Sequence, residues 1–126
     1  MELIFLDTNF IIEFFKGNKK VVDFMVKNDD KLCSNIIVYL ETLFVIQKLK
    51  VKYKFLNLKN VSEFFENIIM LPTDFIPLSE ILECIERYGL KSNDAFISAT
   101  CKYYGIRKIA TFDEDFKRVD FLEIKV

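Results

Sequence analysis

The sequence predicts a three-layer α/β/α protein whose parallel sheet has about four to five strands, and two observations carry that prediction. Short apolar runs alternate with helix-length amphipathic segments along the whole chain, and the glycines fall between segments rather than inside them. The 126 residues, 52% of them hydrophobic and 14 of them Phe, supply enough material for one buried core without disulfide or metal staples.

In order, residues 2 to 6 read as a strand, with Leu3-Ile4-Phe5-Leu6 as its apolar run and Asp7 closing it. Residues 8 to 15 and 19 to 28 read as helices separated by Gly17-Asn18 and anchored by Phe14-Phe15 and Phe24-Met25. A short strand is expected at Lys31-Leu32-Cys33, after which Ser34 or Asn35 caps a helix running to about Lys50. Residues 57 to 71 present Val61, Phe64, Phe65, Ile68 and Ile69 at helical spacing, so a helix is expected up to Pro72. Phe75-Ile76-Pro77-Leu78 reads as a short extended piece. Residues 79 to 88 and 92 to 104 read as helices closed by Gly89 and Gly105. Lys108 to Thr111 is an expected strand, Asp113 to Arg118 a turn or two of helix, and Leu122 to Val126 a last strand.

Composition narrows the function. No Ser/Gly/Pro-rich linker or repeat interrupts the chain, so residues 1–126 are expected to form one domain. The apolar runs at 36 to 40 and 43 to 46 fall far short of the ~20 residues a membrane span needs. With no basic segment leading an apolar one at the amino terminus, a cytoplasmic protein is the expectation. Cys33, Cys84 and Cys101 lie far apart without a Cys-x-x-Cys pair and read as small core residues. Histidine is absent, which excludes a Ser-His-Asp triad, a Cys-His pair and imidazole-based zinc or haem sites. Any chemistry must run on carboxylates, amines, hydroxyls or oxygen-bound metal.

Of the 19 acidic residues, four stand apart. Asp7, Asp94 and Asp113 each fall at or just after a helix start, where a carboxylate can simply cap the backbone. Asp7 and Asp113 also follow directly on strands, which places them along the carboxyl edge of a parallel sheet, where such folds bind ligands. Glu41 lies in mid-helix with Ile37, Val38, Phe44 and Val45 sharing its face. A carboxylate there is costly unless it is paired with a cation or bound to a metal, so a functional Glu41 competes with a buried salt bridge. Four carboxylates converging at one edge call for a cation.

The net charge of -1 and a pI near 5.5 give no general attraction for nucleic acid. One local strip does: Lys48, Lys50, Lys52, Lys54 and Lys59 interleave with Tyr53 and Phe55. It reads either as the solvated end of a helix or as a groove for single-stranded nucleic acid, phosphates on lysine and bases on rings.

The ordered set of motifs resembles the PIN domain, the fold of VapC-type toxin ribonucleases. Asp7-Thr8-Asn9 after an amino-terminal strand, a lone Glu41 in an apolar helix, Ser92-Asn93-Asp94-Ala95 leading a helix, and Thr111-Phe112-Asp113-Glu114-Asp115-Phe116 near the end carry the resemblance. It spans essentially the whole chain. The resemblance implies metal-dependent cleavage of single-stranded RNA to a 3′ hydroxyl and a 5′ phosphate, with an antitoxin as protein partner. It maps the acidic positions onto Asp7, Glu41, Asp94 and Asp113, with Asp115 as a fifth, and the polar support onto Thr8, Asn9, Asn93 and Thr111.

Metal chemistry agrees with that mapping. An all-oxygen, His-free site suits Mg²⁺ or Mn²⁺, whereas zinc, iron and copper favour imidazole or thiolate. Asp7 and Asp94 are the expected primary ligands, Glu41 a ligand or water positioner, and Asp113 the ligand of a second ion. Apolar stripes on 36 to 46 and 61 to 69 suggest a helix-mediated homodimer. Three other readings compete: a structure-specific or DNA-directed nuclease, a non-catalytic PIN-like RNA- or protein-binding module, and a phosphohydrolase forming an aspartyl phosphate. Asn9 in place of a second Asp disfavours the last.

Overall fold

A computed structural model describes residues 2–126. Five strands form one sheet in the order β3-β2-β1-β4-β5, every neighbouring pair parallel. They are β1 (Leu3–Leu6), β2 (Lys31–Ser34), β3 (Ile69–Met70), β4 (Lys108–Ala110) and β5 (Glu123–Ile124). The helices are α1 (Thr8–Phe15), α2 (Lys19–Lys27), α3 (Ile36–Leu49), α4 (Leu58–Glu66), α5 (Leu78–Tyr88) and α6 (Ser92–Tyr103), with a 3-10 turn at Glu114–Arg118. Among the described residues no helix is long and apolar enough to cross a membrane.

β1 is central because its sequence cannot tolerate water on either side: Ile4, Phe5 and Leu6 are all fully buried. Helices cover both faces, and Phe10, Ile11, Val38, Ile46, Ile97 and Phe116 complete the core. The chain runs outward from β1 through β2 to β3, then returns to place β4 on β1's other flank. That reversal puts a topological switch point between β1 and β4, where the crevice beyond the strands' carboxyl ends opens in such sheets. The Asp7 amide prolongs this pairing by donating to Ala110 O at 3.0 Å.

Most expected elements form, with local corrections. The helix expected over 57 to 71 stops at Glu66, where Asn67 Nδ2 donates to Glu63 O at 2.8 Å. Ile69 and Met70 instead become the edge strand, in register with Cys33 and Ser34. The apolar stripe spanned two elements: Val61 and Phe65 face the core, whereas Ile69 is 40% exposed. Unpaired backbone groups along β2 won the segment, since Leu71 N donates to Ser34 O at 2.9 Å. Of residues 75 to 78 only Pro77 keeps extended backbone; Ile76 N closes a turn onto Thr73 O, and Pro77 leads into α5 at Leu78, one residue before the expected Ser79. Asn35, rather than Ser34, caps α3 by accepting from Val38 N at 3.1 Å, and Ser34 donates its hydroxyl to Leu6 O. Gly89 ends α5 at φ 65°, a left-handed conformation that favours glycine. All three cysteines are buried as expected, and burial pushes the Cys33 thiol up to about 12.

Candidate active site

Four elements deliver carboxylates to the switch point. Asp7 ends β1 and caps α1: Oδ1 accepts from Thr8 N at 2.8 Å, and Oδ2 accepts from Thr111 Oγ1 at 2.7 Å. The capping explanation and the edge position therefore hold together. Only 5% exposed, Asp7 loses most of its hydration, and that burial raises its carboxyl from 3.8 to about 6 against the opposing pull of the Thr111 and Thr8 hydrogen bonds.

Glu41 projects from α3 as a half-buried side chain at the cavity rim rather than in a dry core. Val38 on its face is fully buried, but Phe44 is 56% exposed, so the apolar neighbours form an edge and not an enclosure. Among the described residues Glu41 has no ion-pair partner. Its oxygens are instead held by Thr8 Oγ1 at 3.0 Å and Asn93 Nδ2 at 2.9 Å.

Asp94 sits in the first turn of α6 but does not cap it, since Lys91 occupies the cap position. Its half-buried carboxyl is raised to about 7, first by burial and then by the charges of Asp113, Asp7, Glu41 and Asp115. Asp113 follows β4 through Thr111 and Phe112 and caps the 3-10 turn, its Oδ1 accepting from Asp115 N at 2.9 Å. The Asp113 amide donates to Thr111 Oγ1 at 3.0 Å, so one hydroxyl ties Asp113 to Asp7. Asn9 Oδ1 braces the same loop by accepting from Phe112 N at 3.0 Å.

Asp7, Glu41, Asp94 and Asp113 thus line one cavity of about 580 Å³, together with Thr8, Asn9, Ile12, Glu13, Asn18, Val45 and Phe112. No Lys or Arg lines it. Carboxylate oxygens of Asp94, Asp113 and Asp115 lie within 4.8 Å of one another, so the expected fifth acid stands beside two of the other four. Asp115 also pairs with Arg118, Oδ1 to Nη2 at 3.0 Å. Glu13, Ile12 and Phe112 were not expected in the site, although Asn9 and Glu13, four apart on α1, share a face, and Val45 was read only as a neighbour on the face of Glu41.

The lysines of the strip and Phe55 are exposed, whereas Tyr53 is half-buried. Lys48 lies 4.3 Å from the Phe44 ring centroid, Lys52 lies 5.5 Å from that of Tyr53, and Lys50 and Lys54 stand in the turn beyond α3. A chain of contacts reaches it from the cavity: Glu13 pairs with Lys16 at 3.2 Å, and Lys16 sits 5.1 Å from the same Tyr53 ring.

The sequence model of the PIN domain family matches residues 4–122. Ribonuclease VapC2 of Methanocaldococcus jannaschii is 38% identical over 138 residues, covering 96% of this chain and 91% of its own length. Ribonuclease VapC6 of the same organism is 34% identical over 96% of this chain and 95% of its own. Among solved structures, DNA-bound VapBC from Salmonella typhimurium superposes with a TM-score of 0.76 at 20% identity, covering 99% of this chain and 98% of that one. VapC20 of Mycobacterium tuberculosis, a sarcin-ricin loop cleaving toxin, superposes at 0.74 and 17% identity over 98% and 99% of the two chains. At these identities the structures establish the shared fold, and the family match along nearly the whole sequence makes the chain a member of the PIN domain family.

Proposed function

We propose that this chain is a divalent-metal-dependent endoribonuclease cleaving single-stranded RNA, and the toxin of a toxin-antitoxin pair. The observation that carries the reading is a cavity lined by Asp7, Glu41, Asp94 and Asp113 and by no Lys or Arg, with oxygens of Asp94, Asp113 and Asp115 gathered within 4.8 Å. Apart from the Asp115–Arg118 pair the cluster has no cation, and the carboxyls of Asp7 and Asp94 are raised, first by burial and then by the neighbouring acids.

The donor set fits Mg²⁺ or Mn²⁺. Oxygens at ~2.1 Å on opposite sides of Mg²⁺ stand ~4.2 Å apart, so the observed grouping needs only small side-chain rotations. Neither imidazole nor thiolate lines the cavity to favour zinc. Bound there, such an ion lowers the pKa of an attacking water and stabilises charge on the phosphodiester.

The chain's own residues do the rest. Asp7 and Asp94 are the primary ligands, with Asp113 and Asp115 completing the cluster or holding a second ion. Thr111 fixes Asp7 and Asp113 relative to each other, so they need little reorganisation on binding. Glu41, gripped by Thr8 and Asn93, keeps a lone pair on each oxygen to orient and deprotonate a water. Residues 1–126 form one nuclease domain on this proposal.

RNA as substrate is supported by the two ribonuclease relatives, and an antitoxin partner by the VapBC complexes that share the fold. Lys48, Lys50, Lys52 and Lys54 would hold phosphates leading away from the cavity. A homodimer is supported by Ile36, Leu40 and Phe44, all exposed on α3; light scattering at micromolar concentration reads it directly. The deciding experiment incubates wild type and Asp94→Asn with single-stranded RNA and DNA in Mn²⁺, Mg²⁺ or EDTA. Cleavage of RNA in Mn²⁺ or Mg²⁺, lost in EDTA and reduced at least ~100-fold in Asp94→Asn, is expected. Metal-independent cleavage, or none on RNA, overturns the proposal.

A further inference from the structure

Phe112 is out of place for a large apolar side chain. It lies between buried Thr111 and half-buried Asp113, yet it is 39% exposed and lines the acidic cavity. Its position is fixed rather than loose. The Phe112 amide donates to Asn9 Oδ1 at 3.0 Å, and its ring stacks on fully buried Phe10 with centroids 6.4 Å apart and planes 27° from parallel. The ring is braced from beneath while part of it is left to the cavity. Ile12 and Val45 add apolar wall to the same space.

A nucleic acid entering this cavity meets an electrostatic conflict. Its phosphates approach carboxylates, so away from the metal the cavity repels the backbone. Neutral, planar bases escape that repulsion and gain from an aromatic platform, and every base has a face to stack. The ring's neighbours in sequence are the residue that ties Asp7 to Asp113 and Asp113 itself, so a base seated there belongs to a nucleotide bordering the cut phosphate.

From this juxtaposition we infer that Phe112 is a nucleobase-stacking subsite, holding one unstacked base of an RNA strand beside the scissile phosphate. The inference rests on the nuclease reading above and adds what that site recognises. Because stacking is tolerant of base identity, the subsite selects for an unpaired base rather than for a sequence.

The test combines protein and substrate changes. Wild type, Phe112→Ala, Phe112→Leu and Phe112→Tyr are compared by steady-state cleavage of a short single-stranded RNA in Mn²⁺, and of the same RNA with an abasic ribose on either side of the cut. Loss of the ring should raise KM about 5- to 100-fold in Phe112→Ala, with kcat changing less, while Phe112→Tyr stays near wild type and Phe112→Leu falls between. One abasic substitution should impose a similar loss on wild type and little further loss on Phe112→Ala, because the two remove the same contact. The melting temperature of each variant shows whether it is folded, and Phe112→Leu, which removes the ring but keeps apolar bulk, carries the comparison on intact and abasic RNA if Phe112→Ala is not. A wild type that cleaves while Phe112→Ala matches it, or loses equally on intact and abasic RNA, removes the subsite and leaves the nuclease reading standing. A change confined to inhibition by an antitoxin protein would make Phe112 a protein contact and overturn the inference. A wild type that cleaves none of these RNAs removes both.

Discussion

The two ends of the same sheet treat carboxylates in opposite ways. At the amino end, Glu2 and Asp30 share Lys108 at 2.7 and 2.8 Å; that pairing holds the Glu2 carboxyl below its ordinary value and the Lys108 amine above its own. At the carboxyl end, Asp7 and Asp94 meet further acids and no cation, and both are raised. One end is electrostatically closed by the protein itself. The other leaves Asp7 and Asp94 without a cation, and on the proposed reading a metal ion would balance it, so the same residue types would serve structure in one place and chemistry in the other.

Substitutions at the two ends should therefore differ in sign as well as in size. Asp94→Asn, or Glu41→Gln, should abolish RNA cleavage, weaken Mn²⁺ binding and raise the melting temperature measured in EDTA, because each removes a charge from a repelling set. Gln at 41 can still accept from Asn93 and donate to Thr8 Oγ1, so that variant keeps the local geometry. Asp30→Asn should do the reverse, lowering the melting temperature slightly while leaving cleavage intact. Scanning fluorimetry with and without Mn²⁺, alongside cleavage assays, reads both. A Glu41→Gln protein that melts well below wild type in EDTA would break the contrast.

Stability against pH should show the next largest difference. The folded Asp7 carboxyl is near 6 and its ordinary value is 3.8, so between those values the native state holds protons that the unfolded chain has released. Metal-free stability should fall as pH rises from about 4 through about 6, by ~3 kcal/mol for this buried group, and should not change further below that window. Asp94, raised to about 7 but half-exposed, extends the fall toward neutrality with a share reduced by solvent screening. Mn²⁺ should invert the trend, because its ligands must be deprotonated, so the stabilisation it confers grows with pH. Glu2, held low, works the other way, its contribution being present above the ordinary carboxylate range and lost as pH falls. Melts at pH 5 and 7.5, each in EDTA and in Mn²⁺, test the crossing.

How much of this was legible beforehand varies by residue. Asp7 and Asp113 could be read because strand-then-acid is a local pattern whose consequence, a place at the sheet edge, follows from topology alone. Glu41 could be read because it violates its own helix, although the structure relieves the violation by partial exposure and by hydrogen bonds from Thr8 and Asn93 rather than by a buried salt bridge. Asp115 could be placed only as a fifth acid, because its approach to Asp94, 21 positions earlier in the chain, is a tertiary proximity that no local pattern encodes. β3 was hidden for a related reason. Ile68 and Ile69 continue a helical stripe, and only the open edge of β2, a partner distant in sequence, converts the segment to a strand. Phe112 carries no signal of facing a cavity, and Glu13 only its spacing from Asn9, until α1 and the loop after β4 are brought together.

Thr111 and Lys108 sit three residues apart on one strand and its extension, and they sharpen the comparison further. Thr111→Val keeps the shape but removes the donor to Asp7 and the acceptor for the Asp113 amide. Metal affinity and cleavage should drop about 10- to 100-fold, the range for a residue that orients ligands without touching the ion. Isothermal titration with Mn²⁺ reads the affinity. Thr111→Ser, which retains the hydroxyl, should recover most of it; a Val variant that binds Mn²⁺ as wild type does would show that the acids are oriented by packing instead.

The smallest effect concerns the border between the acid-lined cavity and the basic strip, which begins at the Glu13–Lys16 ion pair. If the strip holds phosphates, positive charge is displaced from the site of chemistry to the path leading to it, and binding there should depend on salt as counterions are released. The logarithm of RNA affinity should fall with the logarithm of salt concentration at about -0.7 per contact, and the paired change Lys48→Gln with Lys52→Gln should flatten that slope by about 1.4. Neither lysine forms an ion pair among the described residues; each only rests against a ring, Phe44 or Tyr53, so the substitutions should leave melting temperature nearly unchanged and isolate the binding term. Fluorescence anisotropy with labelled RNA in EDTA, where cleavage is off, measures the slope. An unchanged slope would move the strand's path off α3 and leave the acids and Phe112 as the whole of the recognised surface.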